Sequence, residues 1–387
     1  MRDLIRELRD FFRKGDMVLL ILCLATSAFG CLILASATNA EKFGSSTRYI
    51  VIQAAATVMG VLFYAVVSSI DADFLSEHRL ALTGMCLGML LLLVPFGTDN
   101  HTGNRSWLNF SFLPFLIQPA EICKVFFIVM LASIMASHQS RISHVGSVIH
   151  MALCLGLVVG TNLVVSSDLG VSLIFIFIFV GMAFAGGVNI LWFCLGIGAI
   201  AVGFPFLWPH LSEQQRARIE YLFRPEVVDP NGTGVGWHPK ESLKSLTGGG
   251  LTGQGLFHGN RTQGGNLFAQ HTDYIFSSIG EELGFLGCLA VILLLSAIIA
   301  RCIWVGVHSP DYMRRMICFG AASALIFQVI SNVGMCIGIT PTIGLTLPLI
   351  SYGGSSVVTI YAMLGLVSGV HARPAPRSHE RYIRPPR

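Results

Sequence analysis

The chain has 387 residues, of which 53% are hydrophobic and only 12% charged, and it carries a net charge of +4. A soluble domain needs roughly twice that charged share to cover its surface, so the composition excludes an ordinary water-soluble fold and points to a membrane as solvent. A charge this small gives no footing for a nucleic-acid partner. The ten cysteines, Cys23 to Cys336, all lie in or at the ends of apolar stretches without a CxxC pair, which argues against a disulfide framework or a Cys-bound metal and reads as packing.

In chain order, a basic start (Arg2, Arg6, Arg9, Arg13, Lys14) leads into an apolar run from Met17 to Ser36. It has no convincing small-residue cleavage site, so it is expected to stay as a first span. Further apolar runs begin near Tyr49, Leu80, Pro119, Ser147, Leu169, Ile190, Gly280, Met316 and Ser351, giving ten candidate spans; each crossing takes about 20 residues. The gaps Gly97–Gln118 and Gly338–Ile350 are short and polar or Pro/Gly-rich, whereas 209–278 is by far the longest and is expected to carry the chemistry. The prediction is one all-α polytopic membrane domain over 1–372, with a single long extracytoplasmic loop between spans seven and eight, followed by a basic, Pro-rich tail over 373–387.

Orientation follows from basic residues in short loops. The amino terminus, Arg141, Arg301, Arg314, Arg315 and the tail (Arg373, Arg377, Arg381, Arg384, Arg387) fall on one side of a ten-span layout. That side is expected to be the cytoplasm, with both termini in it, leaving the long loop outside.

Three carboxylates, Asp273, Glu281 and Glu282, stand where the long loop re-enters an apolar span. Carboxylates at such a depth are costly unless paired or working. Partial desolvation would move Asp273 toward the range of a general base, although capping of the eighth helix accounts for it equally well. Glu121 and Lys124 share one face of the fourth span, either as a structural ion pair or as part of a charged cluster with Arg105 and Trp107 in the preceding gap. Asp168 is either a helix cap or a further member. The glycine run Gly248–Gly250 and Gly253 fits a dinucleotide template by letters alone and instead suggests a backbone bending close to the membrane or a ligand.

Three stretches carry a resemblance: GNRSWLNFSFLPFLIQPAEICK (Gly103–Lys124), QHTDYIFSSIGEELG (Gln270–Gly284) and TPTIGLTLPLISYGGSS (Thr340–Ser356). They are similar to the GxRRW…FQPSELxK, HTDFIFAVIGEELG and PVTGLPLPFISYGGSS signatures of the shape, elongation, division and sporulation (SEDS) family of FtsW, RodA and SpoVE. Ser106 stands where that family usually has a second Arg.

The resemblance implies a GT-C-like peptidoglycan glycosyltransferase in the cytoplasmic membrane, acting on lipid II and undecaprenyl-pyrophosphate-linked glycan. It implies Asp273 as the essential carboxylate and Trp107, Glu121 and Lys124 as site residues. His271, Thr272, Arg105 and Arg261 join them as substrate contacts, and a class B penicillin-binding protein is the implied transpeptidase partner. A divalent cation, Mg2+ or Mn2+, is compatible with pyrophosphate chemistry, but no ligand set is readable. Two rival classes stay open: a flippase for lipid-linked precursors, which would use midplane polar groups and broken helices, and a scaffold without chemistry at Asp273.

Overall fold

The computed structural model describes residues 15–39, 46–98, 105–110, 115–267 and 269–373. The basic start, the tail beyond Arg373 and part of the Gly103–Lys124 motif lie outside them.

Lipid offers no hydrogen bonds, so each apolar run must satisfy its backbone within a helix. The first is α1 (Met17–Ala37), followed by α2 (Ser46–Ser69). A short α3 (Ala72–Glu77) precedes α4 (Arg79–Leu91) and α5 (Leu93–Phe96), which together form the third apolar helix. A small hairpin, β1 (Gly97–Thr98) with β2 (Trp107–Leu108), leads to α6 (Pro119–Ser137). Next come α7 (Val145–Ser166), α8 (Leu169–Ala185) and α9 (Ile190–Leu207). The long segment carries α10 (Glu213–Phe223), α11 (Pro225–Val228), α12 (Trp237–Gly248) and α13 (Asn260–Gln263). The last three are α14 (Ile275–His308), α15 (Tyr312–Cys336) and α16 (Gly354–Ala372).

Among the described residues, eight helices are long and apolar enough to span a membrane, and Leu169–Ala185 and Ile190–Phe206 are shorter apolar helices. Those ten coincide with the ten runs expected. The eighth starts earlier than expected, at Ile275 rather than near Gly280. The 209–278 stretch is largely helical rather than irregular; α10 to α13 escape a hydropathy reading because they are polar.

The core forms where small residues let helices close up. Gly60 faces the Tyr361 ring and Gly365 the Tyr64 backbone, which locks α2 to α16. Gly320 of α15 nests against Ile128 of α6 and Met182 of α8. At the end away from the long segment, buried Asp16 pairs with Arg301 at 2.8 Å and its backbone N–H donates to the Ser368 hydroxyl oxygen, tying α1, α14 and α16. By contrast α9 turns Ile190, Leu195, Ile200 and Phe206 outward, as a lipid-facing helix does.

The glycine run has a definite use. Helix α14 breaks at Gly284 (φ 67°, ψ −163°), which frees backbone groups that would be unpaired in lipid. Residues 250–255 fill the gap: Gln254 and Gly255 donate to the carbonyls of Glu281 and Glu282 (both 2.9 Å), and Phe285 and Leu286 donate to Gly250 and Leu251 (2.9 and 3.1 Å). The bend expected near a ligand is thus made against α14 itself. A Cβ at Gly253 would lie 2.1 Å from the Glu282 carbonyl oxygen, whereas one at Gly250 meets nothing within 4 Å. Both have positive φ. Gly253→Ala should therefore cost about 2–4 kcal/mol from clash plus strain, and Gly250→Ala only about 1–2 kcal/mol. Thermal unfolding of the two purified variants compares them directly.

Candidate active site

Asp273 sits in the turn just before α14, at the bundle end that carries the long segment. Its main chain is held on every side. Tyr352 N–H donates to the His271 carbonyl (2.8 Å), Ser351 Oγ to the Thr272 carbonyl (2.6 Å) and Asn332 Nδ2 to the Asp273 carbonyl (2.8 Å). The same Asn332 amide donates to the Leu345 carbonyl at 2.7 Å, so one side chain of α15 fastens both the His271–Asp273 turn and the Gly338–Ile350 loop. The carboxylate is left out of this web: it is half-buried, and no described residue donates to it. The capping role is not what it does, since the residue at the helix boundary is Tyr274 and no side chain caps there. Burial pushes the Asp273 carboxyl up to about 6, with the Arg218 charge opposing and the Asp168 charge adding.

Those two neighbours define one flank of the site. Arg218, on α10, is exposed and donates from Nη1 to the Thr342 carbonyl (3.1 Å) in the Gly338–Ile350 loop. That loop also brings Gly344 to Asp273, where a Cβ would stand 3.6 Å from Oδ2. Asp168 does cap its helix, accepting from Val171 N–H at 3.2 Å, and Gln118 Nε2 reaches its other oxygen at 3.4 Å. Its carboxyl is also raised, by burial first, with Val171 N–H and the Ser106 hydroxyl opposing and Glu121 adding.

Behind Asp168 the first turn of α6 buries Lys124 with Glu121, the ammonium contacting both carboxylate oxygens at 2.9 Å. The hairpin aligns the rest. Leu108 and Ile117 exchange backbone hydrogen bonds (2.8 and 3.0 Å), which carries exposed Arg105 and half-buried Trp107 to the start of α6. On the other flank His271 meets Tyr49 edge-on at 5.4 Å, with Tyr352 at 5.8 Å from the same ring.

Asp273, Asp168, Glu121 and Lys124 therefore gather with a cation that sequence reading missed. Nothing in the spacing of the polar helix α10 marks Arg218. Asn332 was missed too, although an amide inside an apolar helix is a signal in itself. Arg261 stands apart: its guanidinium pairs with Glu241 and its N–H donates to Glu281 Oε1 (2.8 Å). The other two carboxylates of the motif also accept hydrogen bonds, Glu282 through Oε1 alone. Glu281 takes Thr262 N–H and Oγ (2.9 and 2.7 Å), and Glu282 takes Ser36 Oγ and Gln263 Nε2 (both 2.8 Å). Among the described residues no three His, Cys, Asp or Glu side chains converge to hold a metal ion.

The arrangement is a raised, unpaired carboxylate beside cations, at the end of a membrane bundle. The chain as a whole is similar to known proteins. It is 30% identical over 361 residues to the peptidoglycan glycosyltransferase MrdB of Escherichia coli (strain K12), covering 92% of this chain and 93% of that protein. To the probable peptidoglycan glycosyltransferase FtsW of Haemophilus influenzae it is 36% identical over 284 residues, covering 72% and 70%. The fold matches a chain from a solved structure of a peptidoglycan synthase complex that coordinates polymerization and crosslinking, with TM-score 0.77 and 28% identity over 96% of this chain and 99% of that one. It also matches the rod shape determining protein RodA of Thermus thermophilus, with TM-score 0.68 and 27% identity over 92% and 96%. The family model described as cell cycle protein, FtsW, RodA and SpoVE, matches residues 16–375, and the chain is a multi-pass membrane protein belonging to that family.

Proposed function

We propose that this protein is a peptidoglycan glycosyltransferase that polymerises lipid II at the outer face of the cytoplasmic membrane, with Asp273 as general base. The observation that carries the reading is the Asp273 carboxylate: unpaired, half-buried, and raised to about 6 beside Arg218. A base works best when its pKa lies near the operating pH. Asp273 accepts the proton of the GlcNAc 4-hydroxyl on incoming lipid II, and that oxygen attacks C1 of the MurNAc ending the growing strand. The bond from C1 to the undecaprenyl pyrophosphate breaks, and the anomeric configuration inverts from α to β.

The departing diphosphate needs charge stabilisation, which Arg105, Lys124 and Arg218 supply; Arg261 is committed to Glu241. Trp107, His271 and Thr272 serve as sugar contacts. Arg141, Arg301, Arg314, Arg315 and Arg373 stand at the opposite end of the bundle, which supports a cytoplasmic placement of that end and of both termini. A class B penicillin-binding protein is the fitting partner, since a polymerised strand needs a crosslinking activity. A flippase is less well supported: the charges lie toward the two ends of the bundle rather than near its middle, and the break in α14 at Gly284 is filled by loop backbone rather than lining a path.

With labelled lipid II and glycan strands read on a gel, Asp273→Asn should reduce polymerisation by about 10²-fold or more with the fold intact; retained synthesis removes Asp273 from the mechanism. Only the ionised base works, so the rate should rise with pH through about 6 and then level. Arg218→Gln removes a charge that holds the carboxyl down, and should move that rise to higher pH; an unmoved profile refutes the pairing. Lys124→Ala and Arg105→Ala should raise KM for lipid II, and Arg105→Lys should recover little, because ammonium lacks the planar fork that matches phosphate.

A further inference from the structure

One buried polar group in the bundle has no evident use. Gln328 of α15 is fully buried, and among the described residues neither its amide oxygen nor its amide nitrogen has a hydrogen-bond partner. Leaving such an amide unmet is costly, so a group of this kind calls for an explanation.

Helix register says what lies opposite. Helices α6 and α15 run antiparallel and touch where Gly320 meets Ile128, a Cβ there lying 2.7 Å from Ile128 Cγ2. Gln328 is two turns beyond Gly320 and Glu121 two turns before Ile128, rises of about 12 and 10 Å at 1.5 Å per residue. Both displacements run toward the Asp273 end. The backbones of Gln328 and Glu121 therefore lie at similar levels toward that end. One turn further along the same face of α15 comes Asn332, which holds the Asp273 carbonyl.

The pair has its own constraint. Lys124 and Glu121 are 1% and 3% exposed, and each is the other's charged partner. Drawing Lys124 onto a phosphate would strand the Glu121 carboxylate in a dry site, a heavily penalised state. An amide N–H donor at the same level removes that penalty.

We propose that Gln328 is a positioning residue that takes over the Glu121 carboxylate when Lys124 turns to the diphosphate of a lipid-linked substrate. This rests on Lys124 being a phosphate ligand, as in the function proposed above. With the pair closed Gln328 stands idle; with the pair open its Nε2 donates to Glu121. The exchange lowers the cost of substrate capture and leaves the chemistry at Asp273 unchanged.

The test uses the purified full-length protein, labelled lipid II and thermal unfolding. Gln328→Leu should raise KM about tenfold, the size of one unmet hydrogen bond to a charge, with kcat within about twofold and an unchanged or higher melting temperature. The melting readout separates this from a structural role, because an apolar side chain suits the bundle core better than an idle amide. In a Glu121→Gln background, with no carboxylate to transfer, Gln328→Leu should leave KM unaltered. An unchanged KM in the single variant overturns the proposal, as does a fall in melting temperature with kcat and KM damaged together, or a KM effect that persists beside Glu121→Gln. Lys124→Met distinguishes the two levels: if it raises KM while Gln328→Leu does not, only the role of Gln328 fails, and if it does not, the phosphate role of Lys124 fails first.

Discussion

The amide of Asn332 is the contact on which the site depends. It lies inside a bundle where water is scarce, and it spends both its N–H groups on main-chain carbonyls, Asp273 at 2.8 Å and Leu345 at 2.7 Å. Those carbonyls belong to two irregular segments that meet at the end of the bundle. Irregular backbone survives at membrane depth only where protein satisfies it, and here one side chain from a rigid helix satisfies both. Ser351 and Tyr352 complete the hold on His271 and Thr272. The carbonyls of His271, Thr272 and Asp273 are all held; a loosely held turn would let the Asp273 carboxylate rotate to a donor.

The same motif divides its three carboxylates between two tasks, and hydrogen bonding decides which is which. Glu281 and Glu282 receive donors from Thr262, Arg261, Ser36 and Gln263, so they anchor the long segment to α1 and α14. Asp273, two residues before the helix, receives none and is left to burial, which lifts its carboxyl to about 6. Arg218 is placed beside Asp273 separately, by its hydrogen bond to the Thr342 carbonyl of the Gly338–Ile350 loop.

Much of this was legible in the residues. Ten apolar runs announced ten helices, because a helix in lipid must be apolar along its length whatever it packs against. Asp273 stood out as a charge at the edge of a span, and the resemblance of QHTDYIFSSIGEELG to a known signature gave it a role. What could not be read was whatever depends on distant segments meeting. The helices α10 to α13 are polar and short; α12 and α13 dock on α14, whereas α10 is tied to the Gly338–Ile350 loop through Arg218. The glycine run looked ready to bend toward a ligand, but only the break at Gly284 explains what it bends toward. Arg218 lies fifty-five residues before Asp273, in a helix whose letters resemble any solvated amphipath.

Charge placement then follows from the cost of burial. Glu121 and Lys124 can be buried because each neutralises the other, whereas Arg105 and Arg218 are exposed and need no partner to be charged. The site thus holds two kinds of cation: guanidinium groups at the surface, available to a phosphate on arrival, and one ammonium held in reserve by a carboxylate. Surface cations attract any anion. A buried one can be freed only at the cost of leaving Glu121 unpaired, so in the function proposed above the deeper pair is what would favour a lipid-borne diphosphate over a free anion.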